Sequence, residues 1–188
     1  MNFSDSKSHI INCLNNTNLT HVDSQVFSLA TRIIDVLNNN NKILICGNGG
    51  SAAESDHLIA ELICKFKKVR KAVPALSLSP NNSTLTAIGN DFSFEQIFSR
   101  SLEALGSDGD ILISLSTSGN SQNVINAINL ASELNIYSFS LLGQGGGEIA
   151  KISSESFIVE SERVSTIQEI HLMFLHSLCS QIDQLIDK

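Results

Sequence analysis

Lys42-Ile43-Leu44-Ile45-Cys46, followed at once by Gly47-Asn48-Gly49-Gly50-Ser51, is the stretch that decides the fold. Its apolar run is too short for a helix and suits a strand buried on both faces. The glycines stop the strand. A helix then runs from Ser51, placed to cap it, to roughly Phe66. The unit recurs further on. Asp110 to Leu115 reads as a strand, Ser116-Thr117-Ser118-Gly119-Asn120-Ser121 as its loop, and Gln122 to Leu134 as the next helix. Val73 to Leu78, Tyr137 to Leu142 and Ser156 to Val159 complete the strands, with a helix from Phe94 to Leu105. Strands alternating with helices predict an α/β fold: a three-layer α/β/α sandwich around a five-stranded parallel sheet, flavodoxin-like in type. In such sheets the ligand sits at the carboxyl ends of the strands, where both unusual loops fall.

Helices flank this core. Ile10, Ile11 and Leu14 suggest a short amphipathic one, and Val26 to Leu37 a longer one stopped by Asn38 to Asn41. From Thr166 to Ile186 apolar residues occupy nearly every face, which predicts a helix buried in a bundle or a subunit contact. Residues 1–188 read as a single domain: N-terminal helices to about 40, a core over about 41–160 and a final helix over about 166–187.

With 42% hydrophobic and 16% charged residues, the chain reads as globular. The net charge of −7 and the lone basic run Lys65 to Lys71 argue against nucleic acid as a partner. That run reads as a solvated helix end, or as cations beside a phosphate pocket. Cys13, Cys46, Cys64 and Cys179 are scattered with no CxxC pair, which points to free thiols in a reducing compartment. The N-terminus lacks the basic start and apolar run of a signal peptide, and no apolar stretch approaches the ~18 residues that span a bilayer. A cytoplasmic protein with no membrane partner is expected.

The two loops point to a phosphate. Glycine lets the backbone approach a ligand closely, and hydroxyls with backbone N–H groups at a helix start hold an oxyanion without a large positive charge. Neither loop fits the nucleotide patterns GxxxxGK[ST] or GxGxxG. His57 and Glu61, at i and i+4, share a helix face just beyond the glycine loop. They fit either a simple side-chain pair or two ligands of a divalent metal such as zinc. Gln168 and His176 are eight residues apart, roughly 12 Å along a helix, so one metal could be shared only by side chains leaning together. His171 points elsewhere and reads as structural or surface. Asn90 and Asp91 lie in an irregular stretch between helices, as turn formers or as groups that grip sugar hydroxyls.

Together these segments resemble the phosphoheptose isomerase branch of the sugar isomerase (SIS) family. The likeness runs from about Asn41 to Ile182. It is carried by Cys46 to Ala53, Leu85 to Phe92, Ser114 to Ser121 and Ile167 to His171. It implies one Zn2+ per subunit held by His57, Glu61, Gln168 and His176. It also implies substrate contacts from Asn48, Gly49, Gly50, Ser51, Glu61, Asn90, Asp91, Ser116, Thr117, Ser118, Ser121 and Gln168, with Glu61 and His176 as the catalytic base and acid. The expected reaction interconverts sedoheptulose 7-phosphate and its aldose, for nucleotide-activated heptose in lipopolysaccharide or capsule. The expected assembly is a homotetramer. Two departures stand out: Lys65 where the family usually has arginine, and Leu142-Gly143-Gln144-Gly145 in place of a commoner Thr-Gly-Lys-Asp. A rival SIS branch binds the replication initiator DnaA without catalysis; its members lack the full metal and acid/base set present here.

Overall fold

The computed structural model describes residues 2–79 and 81–186. Five parallel strands form one sheet in the order β2-β1-β3-β4-β5: β1 (Ile43–Gly47), β2 (Ala75–Ser77), β3 (Ile111–Ser116), β4 (Tyr137–Gly143) and β5 (Glu155–Val159). The helices are α1 (Phe3–Asn16), α2 (Leu19–Asn38), α3 (Gly50–Ile63), α4 (Asn82–Asp91), α5 (Ile97–Leu105), α6 (Gln122–Glu133), α7 (Ile149–Ile152) and α8 (Val164–Leu185). The last residue expected in the final helix, 187, lies outside the described residues.

The strands are continuously apolar because both faces are covered. Ile43, Ile45, Ile111, Ile113, Leu115 and Phe139 point into one core with α2, α3 and α8. Their alternating neighbours Leu44, Cys46, Leu112 and Leu142 point into a second core with α5 and α6. From β1 the chain winds outward to β2, and from β3 outward the other way to β4 and β5. The order therefore switches between β1 and β3. The loops after those two strands flank that switch point, where such sheets hold their ligands.

Several expected boundaries move, each for a local reason. Helix α3 begins at Gly50, capped by Gly49 at φ +56° with no side-chain bond, so Ser51 lies inside it and is not the cap. It ends at Ile63 rather than near Phe66. The amides of Lys67 and Lys68 donate to Asp183 on α8 instead of continuing the helix. The stretch holding Asn90 and Asp91 is the end of helix α4, not irregular chain; Asn81 starts it by accepting from the Thr84 amide at 2.9 Å. The basic run follows α3 rather than ending it: Lys65, Lys67, Lys68 and Lys71 are exposed as expected, whereas the Arg70 side chain is buried against Asp183. Of the two roles open to His171, structural or surface, the structure shows the first: it is fully buried, and its Nε2 meets the Leu142 carbonyl at 3.0 Å. The last helix is buried along one broad face, from Ile167 to Ile182, and leaves Met173 and Val164 exposed.

Two buried titratable groups act oppositely on stability. Burial lowers His171 to about 4, with the Leu142 carbonyl opposing. Its contribution is therefore present above the ordinary value near 6.5 and lost as pH falls towards 4. Burial raises Glu54 to about 7, against a weaker pull from the Ser51 hydroxyl. Neither Glu54 oxygen meets a partner in hydrogen-bonding geometry. That contribution is full below about 4.5 and lost as pH rises through 7. Glu54→Gln should thus gain about 3 kcal/mol on the wild type between pH 4.5 and pH 8, read by urea unfolding at both pH values. An equal difference at the two pH values would contradict this.

Candidate active site

The first loop is short because Gly49 turns the chain at positive φ. Ser51 then donates its amide to the Asn48 carbonyl at 2.9 Å, closing the turn into α3. The Asn48 carboxamide is paired reciprocally with that of Asn123 on α6, both bonds at 2.9 Å. This pair ties the loop after β1 to the helix after β3. Nothing local in the sequence marks Asn123, whose partner lies 75 residues away.

The second loop turns at Gly119, φ +64°. A Cβ there would run into the Gly146 carbonyl. The Gly119 carbonyl accepts from Ile149 N at 2.9 Å and Asn120 Oδ1 from Glu148 N at 3.1 Å, so the loops after β3 and β4 are locked together. Ser116 and Ser121 hydroxyls meet at 3.1 Å, and the Ser118 hydroxyl accepts from the Asn120 amide at 3.2 Å. Thr117 and Ser118 are half-buried. Neither α3 nor α6 has a side-chain cap, which leaves their first turns suited to an oxyanion.

His57, Glu61 and His176 converge. Their donor atoms all lie within 4.8 Å of one another. His57 Nε2 is 3.0 Å from His176 Nε2 and 3.5 Å from Glu61 Oε1. Two bonds of about 2.0–2.1 Å at a tetrahedral angle separate their ends by about 3.3 Å. The residues present therefore fit a divalent ion. Gln168 is placed beside Gly50: a Cβ built on that glycine would strike its carboxamide. Helices α3 and α8 thus run alongside in parallel, Gly50 by Gln168 and His57 by His176. Asn90 and Asp91 are exposed at the end of α4, with Asn90 Nδ2 donating to Asp91 Oδ1 at 2.8 Å. Gln144, one of the departures, donates its amide to the Ser161 carbonyl at 3.3 Å and fastens the approach to α8. Cys46 supplies no nucleophile beside the glycine loop, since burial pushes its thiol up to about 12.

A doubly wound parallel sheet with glycine and hydroxyl loops at its switch point defines a ligand-binding α/β class of domain, and the SIS domain profile matches residues 9–143. Curated relatives include a phosphoheptose isomerase from Dechloromonas aromatica, 46% identical over 90% of each chain. Another, the phosphoheptose isomerase 1 of Campylobacter jejuni, is 45% identical over 85% of this chain and 86% of its own. The solved phosphoheptose isomerase of Neisseria gonorrhoeae superposes with a TM-score of 0.84 at 36% identity, covering 97% of this chain and 95% of that one. That of Francisella tularensis gives 0.86 at 33% identity, covering 97% and 94%. The chain belongs to the SIS family, and within it to the phosphoheptose isomerases.

Proposed function

We propose that this chain interconverts sedoheptulose 7-phosphate and D-glycero-D-manno-heptose 7-phosphate through an enediol, supplying heptose for nucleotide activation and for lipopolysaccharide or capsule. The observation that carries the reading is the convergence of His57 and Glu61, on the helix that starts at the glycine loop, with His176 on α8. His57, Glu61, Gln168 and His176 would hold one Zn2+ per subunit. When bound, that ion supplies positive charge against the oxygens of the enediol. The chain's own groups do the rest. Glu61 takes the carbon-bound proton as base, and His176 exchanges a proton with oxygen as its acid partner. Ser116, Thr117, Ser118 and Ser121 hold the phosphate, while Asn48, Gly49, Gly50 and Ser51 bring backbone against the sugar. Asn90 and Asp91 bind hydroxyls of the chain-like substrate from the end of α4.

Assembly as a homotetramer in the cytoplasm completes the proposal. Phe3, Ile11, Leu19 and Phe27 on α1 and α2, with Met173 on α8, stay exposed on one chain and suit a helical subunit contact. No helix among the described residues is long and apolar enough to cross a membrane.

NMR of zinc-loaded protein with sedoheptulose 7-phosphate tests the reading. The expected result is aldose formation by the zinc-loaded protein, none by protein chelated beforehand, and recovery when zinc is restored; folded, zinc-loaded protein forming no aldose would refute it. Gly50→Ala gives a finer check. The added Cβ meets only the end of a flexible side chain, so melting should barely change, while displacement of Gln168 should lower kcat/KM about 10- to 100-fold. Unchanged kinetics would remove Gln168 from the site.

A further inference from the structure

Arg70 and Asp183 form an ion pair with only 1% and 3% of their side chains exposed. Burial alone would raise the Asp183 pKa, but the Arg70 guanidinium and two backbone amides outweigh it and hold the group below its ordinary value. Such a pair adds little net stability over apolar residues of equal volume, because desolvation offsets the attraction. Its geometry is more informative. Asp183 lies seven residues after His176, two turns along the same face of α8. Its Oδ1 accepts from Arg70 Nε at 2.7 Å, and its Oδ2 from the amides of Lys67 and Lys68 at 2.9 and 3.2 Å. Arg70 turns its remaining nitrogens onto α3: Nη1 donates to the Leu62 carbonyl at 2.7 Å and Nη2 to the Glu61 carbonyl at 2.9 Å. Carbonyls in the last turn of a helix lack a partner within it. The loop pinned by Asp183 carries Phe66, whose ring stacks on His176 with centroids 5.6 Å apart. Glu61 is thus held through its own main chain, and His176 through the Phe66 ring.

We propose that Arg70 and Asp183 are positioning residues for the His57–Glu61–His176 group, fixing the offset of α3 on α8 and with it the separation of Glu61 from His176. The proposal rests on the metal reading given above. A lysine at position 70 would keep the charge but not the planar fork that reaches several acceptors at once.

Two variants test it: Arg70→Lys, and Arg70→Met combined with Asp183→Leu, which removes both buried charges while keeping volume. Measured for each are melting of the metal-free protein, the visible absorption of bound Co2+, Co2+ affinity by chelator competition, and kcat and KM separately. The double variant should melt near the wild type yet bind Co2+ about 10- to 100-fold more weakly, with an altered spectrum. Its kcat should fall while KM moves little, since the proposed phosphate contacts lie on the loop after β3. Arg70→Lys should shift the same readouts in the same direction, and it decides the matter should the double variant fail to fold. Folded variants with wild-type Co2+ affinity, spectrum and kcat would overturn the proposal alone. A wild-type chain that takes up no Co2+ would overturn the metal reading as well.

Discussion

Glu61→Gln should lower kcat by about 10²- to 10⁴-fold, the range a positioned general base contributes. The substitution keeps the shape and removes the charge, so the Arg70 bond to the Glu61 main-chain carbonyl survives. Helix α3 should keep its place, and melting of the metal-free protein should match the wild type. In the proposed site the phosphate is held by the loop after β3 and not by α3, so KM should change far less than kcat. Loss of the carboxylate should also weaken metal uptake, because the two imidazoles then lack their anionic partner. Measuring turnover at saturating zinc separates the two effects. Near-normal turnover there would remove Glu61 as the base and move the proton transfer to His176 or His57.

Gly119→Ala should be the most damaging substitution in the loop after β3. Gly119 has φ +64°, a conformation disfavoured for a residue with a side chain. A Cβ would also run into the Gly146 carbonyl, which is backbone and cannot swing aside. Left-handed strain and overpacking together should destabilise the protein by about 2 to 5 kcal/mol in urea unfolding. The loops after β3 and β4 would part, so the KM for substrate should rise even in the fraction that folds. A change below about 0.5 kcal/mol would show that the interlock yields more easily than its contacts suggest.

What the sequence disclosed follows from how local each determinant is. Strands β1 and β3 are legible because a sheet covered on both faces needs unbroken apolar runs, and the two loops because glycines and hydroxyls interrupt those runs. The close of α3 is not legible. It depends on Asp183, more than a hundred residues on, capturing the amides that would have prolonged the helix. Asn90 and Asp91 look like turn formers, yet a cap from Asn81 starts a helix that carries both. The convergence on His176 is half legible. His57 and Glu61 share a face by spacing alone, whereas His176 joins them only because α8 runs parallel to α3. Asn123 and Arg70 carry no local mark, and each takes its role from a partner distant in sequence.

Isomerisation by proton transfer through an enediol is tested by turnover in D2O. Zinc-loaded protein would be run to equilibrium with sedoheptulose 7-phosphate and the aldose examined by NMR. Deuterium is expected at C2 of the aldose, because the proton that Glu61 would remove as base exchanges with solvent before it is returned. Aldose formed over many turnovers with no deuterium at C2 would contradict it, pointing to direct transfer of hydrogen between the two carbons.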